Sequence, residues 1–145
     1  MLMIGLGQAG CNIVELFKPH TKNYKIISLD AGNGLDEKES VEQYDEIDFK
    51  FTHRGIKSHD EASLFLCGSG KVAGATLRVL EALKAFKTTV YYIVPDLEFC
   101  SREEKLRHKV HFGVLQEYAR SGMIKELVVL DNKQLIKLVG AGTTL

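Results

Sequence analysis

Six residues near the start of the chain limit its fold more than any others: Gly5-Leu6-Gly7-Gln8-Ala9-Gly10. They follow the apolar run Leu2–Ile4 and precede Ile13, Val14 and Phe17, which recur at helical spacing before Pro19. Glycines spaced G-x-G-x-x-G between a strand and a helix allow a tight turn and let backbone N–H groups approach a phosphate. The helix N-terminus adds partial positive charge there. This unit predicts an α/β chain. The bland alternative is a glycine turn that only lets the helix pack close to the sheet.

The remaining pattern agrees. Tyr24–Leu29 reads as a second strand running into the turn-rich Asp30–Gly34. Residues 35–46 are polar and acidic, Ile47–Phe51 alternates like an edge strand, and His53–Asp60 reads as a loop. Ala62–Cys67 is a short buried-type strand followed by Gly68-Ser69-Gly70. A helix is expected from Lys71 or Val72, with Val72, Thr76, Val79, Leu80 and Leu83 as its apolar face. Thr89–Val94 is a β-branched strand without alternation, so both its faces should be covered. Ser101 with Glu104 three residues on is a capping-box pattern. The helix it opens carries Leu106, Val110, Val114 and Tyr118 and runs to Ser121-Gly122. Leu127–Leu130 reads as another buried strand, and Lys133–Val139 as a last helix stopping at Gly140.

Strands alternating with helices imply right-handed crossovers. The expected fold is a Rossmann-like three-layer α/β domain with a mainly parallel sheet of five to six strands, one domain over residues 1–145. Ligands of such sheets sit beyond the carboxyl ends of the strands, where the polar and Gly-rich loops of this chain fall.

Composition excludes several classes. Lys+Arg and Asp+Glu number 19 each, giving zero net charge. That argues against a nucleic-acid partner and a polybasic membrane-surface protein. No apolar run approaches the roughly 18 residues of a membrane helix, so no membrane partner is expected. Cys11, Cys67 and Cys100 are odd in number and form no CxxC pair, so reduced thiols and a cytoplasmic location are expected.

Asp30, 20 residues beyond Gly10, has the position of a carboxylate that accepts a ribose hydroxyl. The second loop, Gly68 to Gly74, repeats the strand–glycine–helix arrangement, and two such loops can grip one polyphosphate from both sides. Gly68-Ser69-Gly70-Lys71 is not a Walker A. Phe65 stands where its first glycine belongs, and Val72 stands where Ser or Thr would hold magnesium. Lys71 remains a point charge for a phosphate; the alternative is a solvated lysine at a helix start. His108 and His111 sit at i,i+3 without an obvious third ligand and are read as a solvated helix face.

With both loops placed, the chain resembles the tubulin/FtsZ family of GTP-binding filament proteins, amino-terminal domain only. Gly5–Asn12 looks like the first nucleotide loop of that family. Gly68–Gly74 falls where the family has Gly-Gly-Gly-Thr-Gly-Ser/Thr-Gly; the first, third and seventh glycines are kept, while Lys71, Val72 and Ala73 depart. Pro95–Arg102 occupies the ribose loop, and Val128–Leu135 resembles the strand and loop whose Asn reads the nucleoside.

The resemblance implies GTP or GDP as ligand, with an accompanying Mg2+ left open. It implies that Gly7, Gln8, Ala9, Gly10 and Cys11 approach the phosphates and Asn12 the sugar or α-phosphate. Asp30 and Ala31 would sense the γ-phosphate, and Gly68, Ser69, Gly70 and Gly74 would form the cradle. Glu98 and Arg102 would hold the ribose or guanine edge, and Asn132 the nucleoside. Alone, Glu98 and Arg102 read equally as a surface pair and Asp131-Asn132 as a helix cap.

The family places its catalytic carboxylates after a long central helix, and that half of the pattern is missing here. The chain alone is therefore expected to bind rather than hydrolyse. A longer parent or a partner chain would supply the rest, and the expected partner is a second copy, head to tail, or such a protein. Two other readings stand: an NAD(H)-binding oxidoreductase domain, from the first loop and Asp30, and a structural or interaction protein that kept the fold and lost the ligand.

Overall fold

A computed structural model of the chain describes residues 2–17, 25–31, 34–35 and 61–131. Expectations for 18–24, the acidic stretch, the strand Ile47–Phe51, the loop His53–Asp60, Asn132 and the helix Lys133–Val139 lie outside the described residues.

Five parallel strands carry the sheet: β1 (Leu2–Leu6), β2 (Lys25–Ala31), β4 (Glu61–Cys67), β5 (Lys87–Val94) and β6 (Glu126–Asp131). A sixth, β3 (Gly34–Leu35), pairs only Asp30 with Gly34 and Ala31 with Leu35. Parallel strands normally need a crossover of a dozen or more residues, so this two-residue pairing adds little to the sheet. The spatial order is β3-β2-β1-β4-β5-β6, the order of doubly wound nucleotide-binding sheets. The expected Rossmann-like three-layer α/β fold is what the chain adopts.

Helices cover both faces. On one, α1 (Gly7–Glu15) seats Ile13 and Val14 against Met3, Phe65 and Ile93. On the other, α2 (Thr76–Ala82) and α3 (Arg102–Ser121) pack Val79, Leu80 and Leu115 over Leu2, Ile4, Leu64, Leu66, Val90 and Tyr92. The central strand β1 is buried at every residue, as a continuous apolar run between two layers should be. In β5, Tyr92 faces the α2/α3 layer while Tyr91 stacks on Phe65 at 4.6 Å in the other, so both faces are covered as expected.

Two expectations need correcting. The helix expected from Lys71 or Val72 begins as a 3-10 turn, Lys71–Ala75, and becomes α-helical only at Thr76. Apolar spacings of three and four residues suit either geometry, so the pattern could not separate them. Among the described residues, the strand expected to be buried at Leu127–Leu130 lies at the sheet edge, with Val129 45% exposed. An apolar run records burial on a strand's faces, not whether a neighbour flanks it.

The boundaries of α3 follow its caps. Ser101 accepts from the Glu104 N–H at 3.1 Å and Glu104 accepts from the Ser101 N–H at 3.0 Å, a complete capping box. Gly122 closes the helix in the left-handed region, φ +80°. Replacing Ser101 by Ala is expected to lower stability by about 1 kcal/mol, read as the denaturant midpoint at unchanged slope.

Candidate functional site

Between β1 and β4 the chain reverses its direction of winding, so the loops after these strands diverge to opposite faces. The crevice this leaves is where ligands of open α/β sheets bind. It holds a cavity of about 490 Å3, within the roughly 300–1,000 Å3 of small-molecule sites.

Gly7, Gln8 and Ala9 form the first wall. Gly7 has φ +76°, a conformation that side chains rarely adopt. It turns β1 into α1 with no intervening residue. No side chain caps α1, and its first turn carries no acid. The positive end of its dipole therefore faces the cavity without a side-chain anion of its own.

Ser69, Gly70 and Val72 form the second wall, with Cys67 beneath them. The Cys67 Sγ lies 3.2 Å from the Ser69 Oγ. Gly68 is buried behind the loop, where a Cβ would meet the Tyr92 hydroxyl at 2.2 Å. The third wall comes from the end of β5 and the turn after it: Pro95, Asp96, Phe99, Cys100 and, from α3, Glu104. Phe99 is 83% exposed at this rim.

Six of the residues singled out by sequence line this one cavity: Gly7, Gln8, Ala9, Asp30, Ser69 and Gly70. Gly10 is buried, with its Cα side against the Phe65 carbonyl. Cys11 sits behind α1, its Sγ 3.4 Å from the Gly5 oxygen and 3.5 Å from the Leu29 oxygen. Burial, then the nearby Asp30 charge, pushes that thiol above its ordinary range. Asn12 is half-buried on α1 outside the lining, and Gly74 is buried within the 3-10 turn. Lys71 opens that turn, and Ala31 ends β2. Glu98 and Arg102 are exposed on separate elements, a 3-10 turn (Leu97–Phe99) and α3, and neither lines the cavity.

The charged groups among the described lining are Asp30, Asp96 and Glu104. Asp96 accepts from the Glu98 N–H at 3.3 Å. Hydrogen bonds from Ser101 hold the Glu104 carboxyl below its ordinary range, so it is ionised at neutral pH. Burial, then Glu104, raises the Cys100 thiol. The uncapped N-terminus of α1 thus offers positive potential while the described side chains add negative charge. Among the described residues, no group of three or more His, Cys, Asp and Glu could hold a metal ion, and no helix is long and apolar enough to cross a membrane.

Sequence reasoning missed the face of α3 that meets this site. His108 and His111, read as solvated, point at the sheet. The His111 Nδ1 is 3.1 Å from the Gly68 oxygen, and the His108 Nδ1 is 2.6 Å from the Tyr92 hydroxyl. Leu106 and Val110, two of the residues that mark this helix in the sequence, are 61% and 52% exposed. His108, Phe112, Leu115 and Ala119 make an equally regular helical stripe. Histidine in a sequence reads as polar, but here its ring nitrogens find partners and both rings pack toward the sheet.

Burial holds the His108 imidazole below its ordinary pKa of 6.5. A depressed histidine favours the folded state above the unfolded pKa, and that contribution is lost as pH falls through the folded value. The thermal midpoint is expected to fall between about pH 7.5 and about pH 5.5, and a His108→Gln variant to fall less.

Compared with known proteins, the chain matches no family model, and no curated protein matches it.

Proposed function

We propose that this chain binds a guanine nucleotide, GTP or GDP, in the cavity at the β1/β4 reversal, and that binding supports assembly in the cytoplasm. The partner is a second copy, head to tail, or another protein. The observation that carries the reading is that both glycine loops open into one cavity. A single pyrophosphate-binding turn would not need the second. Among the described residues, the cavity extends along the ends of β4 and β5 and meets β2 at Asp30. That suits a mononucleotide with its phosphates at Gly7–Ala9 and Ser69–Gly70 and its base toward Pro95 and Phe99. The choice of guanine rests on the family resemblance.

The acidic lining favours a second reading, a structural or interaction protein that kept the fold and lost the ligand. Three carboxylates must be offset before a polyphosphate can enter, by backbone dipoles, Lys71 or an accompanying Mg2+. If nucleotide binds, Glu104→Gln should tighten it several-fold, since the amide preserves the capping box and removes a charge.

Calorimetric titration of the purified chain with GTP, GDP, ATP and NADH tests these readings together. Guanine preference is the expected result. Preference for NADH would make the chain an oxidoreductase-type domain. No binding of any of the four by folded protein would leave the second reading.

A further inference from the structure

We propose that α3 is the positioning element of the second glycine loop, with Arg107 and His111 fixing the two successive peptide planes that present the Ser69 and Gly70 N–H groups to the cavity. The proposal rests on the nucleotide reading only for what those N–H groups bind.

The loop's own contacts, the Ala73 N–H donating to the Gly70 oxygen at 3.2 Å and the Cys67 Sγ 3.2 Å from the Ser69 Oγ, leave the Gly68 and Ser69 oxygens to be held from elsewhere. Gly68 and Gly70 both lack side chains, and nothing lies within 4 Å of where a Gly70 Cβ would be. Packing on that side therefore leaves Gly70 unconstrained, and two glycines in three residues give the backbone wide freedom. What holds those two oxygens comes from 38 and 43 residues away. The Arg107 Nε donates to the Ser69 oxygen at 2.7 Å. The His111 Nδ1 lies 3.1 Å from the Gly68 oxygen and 2.7 Å from the Arg107 oxygen. Both neighbours are acceptors, so this nitrogen carries the hydrogen and shares it between them.

A trans peptide is planar, with C=O and N–H pointing in opposite directions. The bond from His111 to the Gly68 oxygen turns the next N–H, that of Ser69, away from α3. The bond from Arg107 to the Ser69 oxygen does the same for Gly70. Ser69 and Gly70 are the two residues of this loop's glycine run that line the cavity. The same helix face carries His108, which holds the Tyr92 hydroxyl on which Gly68 rests. One turn earlier Glu104 enters the wall, its charge partly offset by Arg107. A single helix thus sets both the orientation of the cradle and the charge beside it.

The test separates hydrogen bonding from charge and loop order from ligand affinity. Arg107→Ala removes both functions of the side chain, Arg107→Gln keeps an amide donor without the charge, and His111→Asn keeps a donor near the Nδ1 position. Backbone 15N order parameters of Ser69 and Gly70, measured without ligand, report positioning whether or not nucleotide binds. In Arg107→Ala they are expected to fall from rigid values near about 0.85 toward about 0.6, while Arg107→Gln and His111→Asn stay near wild type. The Kd for GTP is expected to rise about tenfold in Arg107→Ala, the scale of one charge-assisted hydrogen bond. Unchanged order parameters in Arg107→Ala would overturn the proposal, as would Arg107→Gln behaving like the alanine variant. Failure of the wild-type protein to bind GTP would instead remove the nucleotide reading and leave the order parameters to decide the role of α3.

Discussion

Gly10→Ala is expected to destabilise the protein by roughly 3 kcal/mol or more, the upper end of overpacking costs. Intrinsic propensity points the other way: alanine in place of glycine in a helix gains about 1 kcal/mol. The difference lies in what faces Gly10. An added Cβ would fall 2.1 Å from the Phe65 oxygen and 2.9 Å from its carbonyl carbon. Those atoms belong to β4, which is hydrogen-bonded on both sides, to β1 and to β5. They cannot yield like the end of a flexible side chain, so α1 must move instead. Movement of α1 lifts Ile13 and Val14 from Met3, Phe65 and Ile93. It also shifts Gly7, Gln8 and Ala9 at the cavity. Urea unfolding followed by circular dichroism measures the effect, and a higher midpoint in the alanine variant would refute this account of helix–sheet contact.

That prediction shows why the first glycine loop was legible. A backbone that must turn with φ +76° at Gly7 and touch another backbone at Gly10 can be encoded only by leaving out side chains. The requirement therefore stands in the sequence as glycine. The ends of α3 were legible for a related reason: Ser101, Glu104 and Gly122 satisfy terminal groups locally. The strands around the core were readable because both faces of β1 and β5 demand apolar residues.

What escaped is what depends on distant partners. Nothing near Arg107 or His111 reveals that Gly68 and Ser69 lie across from them, some forty residues earlier. The Glu98–Arg102 spacing looked like one helical pair, but a turn ending at Phe99 and the extended Cys100 separate the two residues. The residues of that segment that reach the cavity are Asp96, Phe99, Cys100 and Glu104. Motif spacing pointed to a loop that borders the cavity, but Glu98 and Arg102 stand outside its lining, because a short turn redirects every residue after it.

Gly70→Asp separates folding from binding most sharply, since its two expected effects have opposite sign. Gly70 precedes the 3-10 turn with φ −77° and ψ 157°, ordinary extended backbone for any residue. No atom lies within 4 Å of its Cβ position. Aspartate is favoured at such a capping position and loses less chain entropy on folding than glycine. Stability is therefore expected to stay level or rise by about 0.5 kcal/mol. Binding should move the other way. The new carboxylate stands at the cavity wall where the nucleotide reading puts phosphate, beside Asp30, Asp96 and Glu104. A like charge at about 4 Å costs about 4 kcal/mol at an effective dielectric near about 20, and solvent at this open rim screens part of it. Roughly 100-fold weaker GTP binding is the expected result. Gly70→Ser supplies the matching control, adding a cap of similar size without charge, and should bind within a few-fold of wild type. Equal affinity in the Asp and wild-type proteins would remove the second glycine loop from the phosphate site. Because the variant is expected to be at least as stable as wild type, its loss of binding could not be attributed to unfolding.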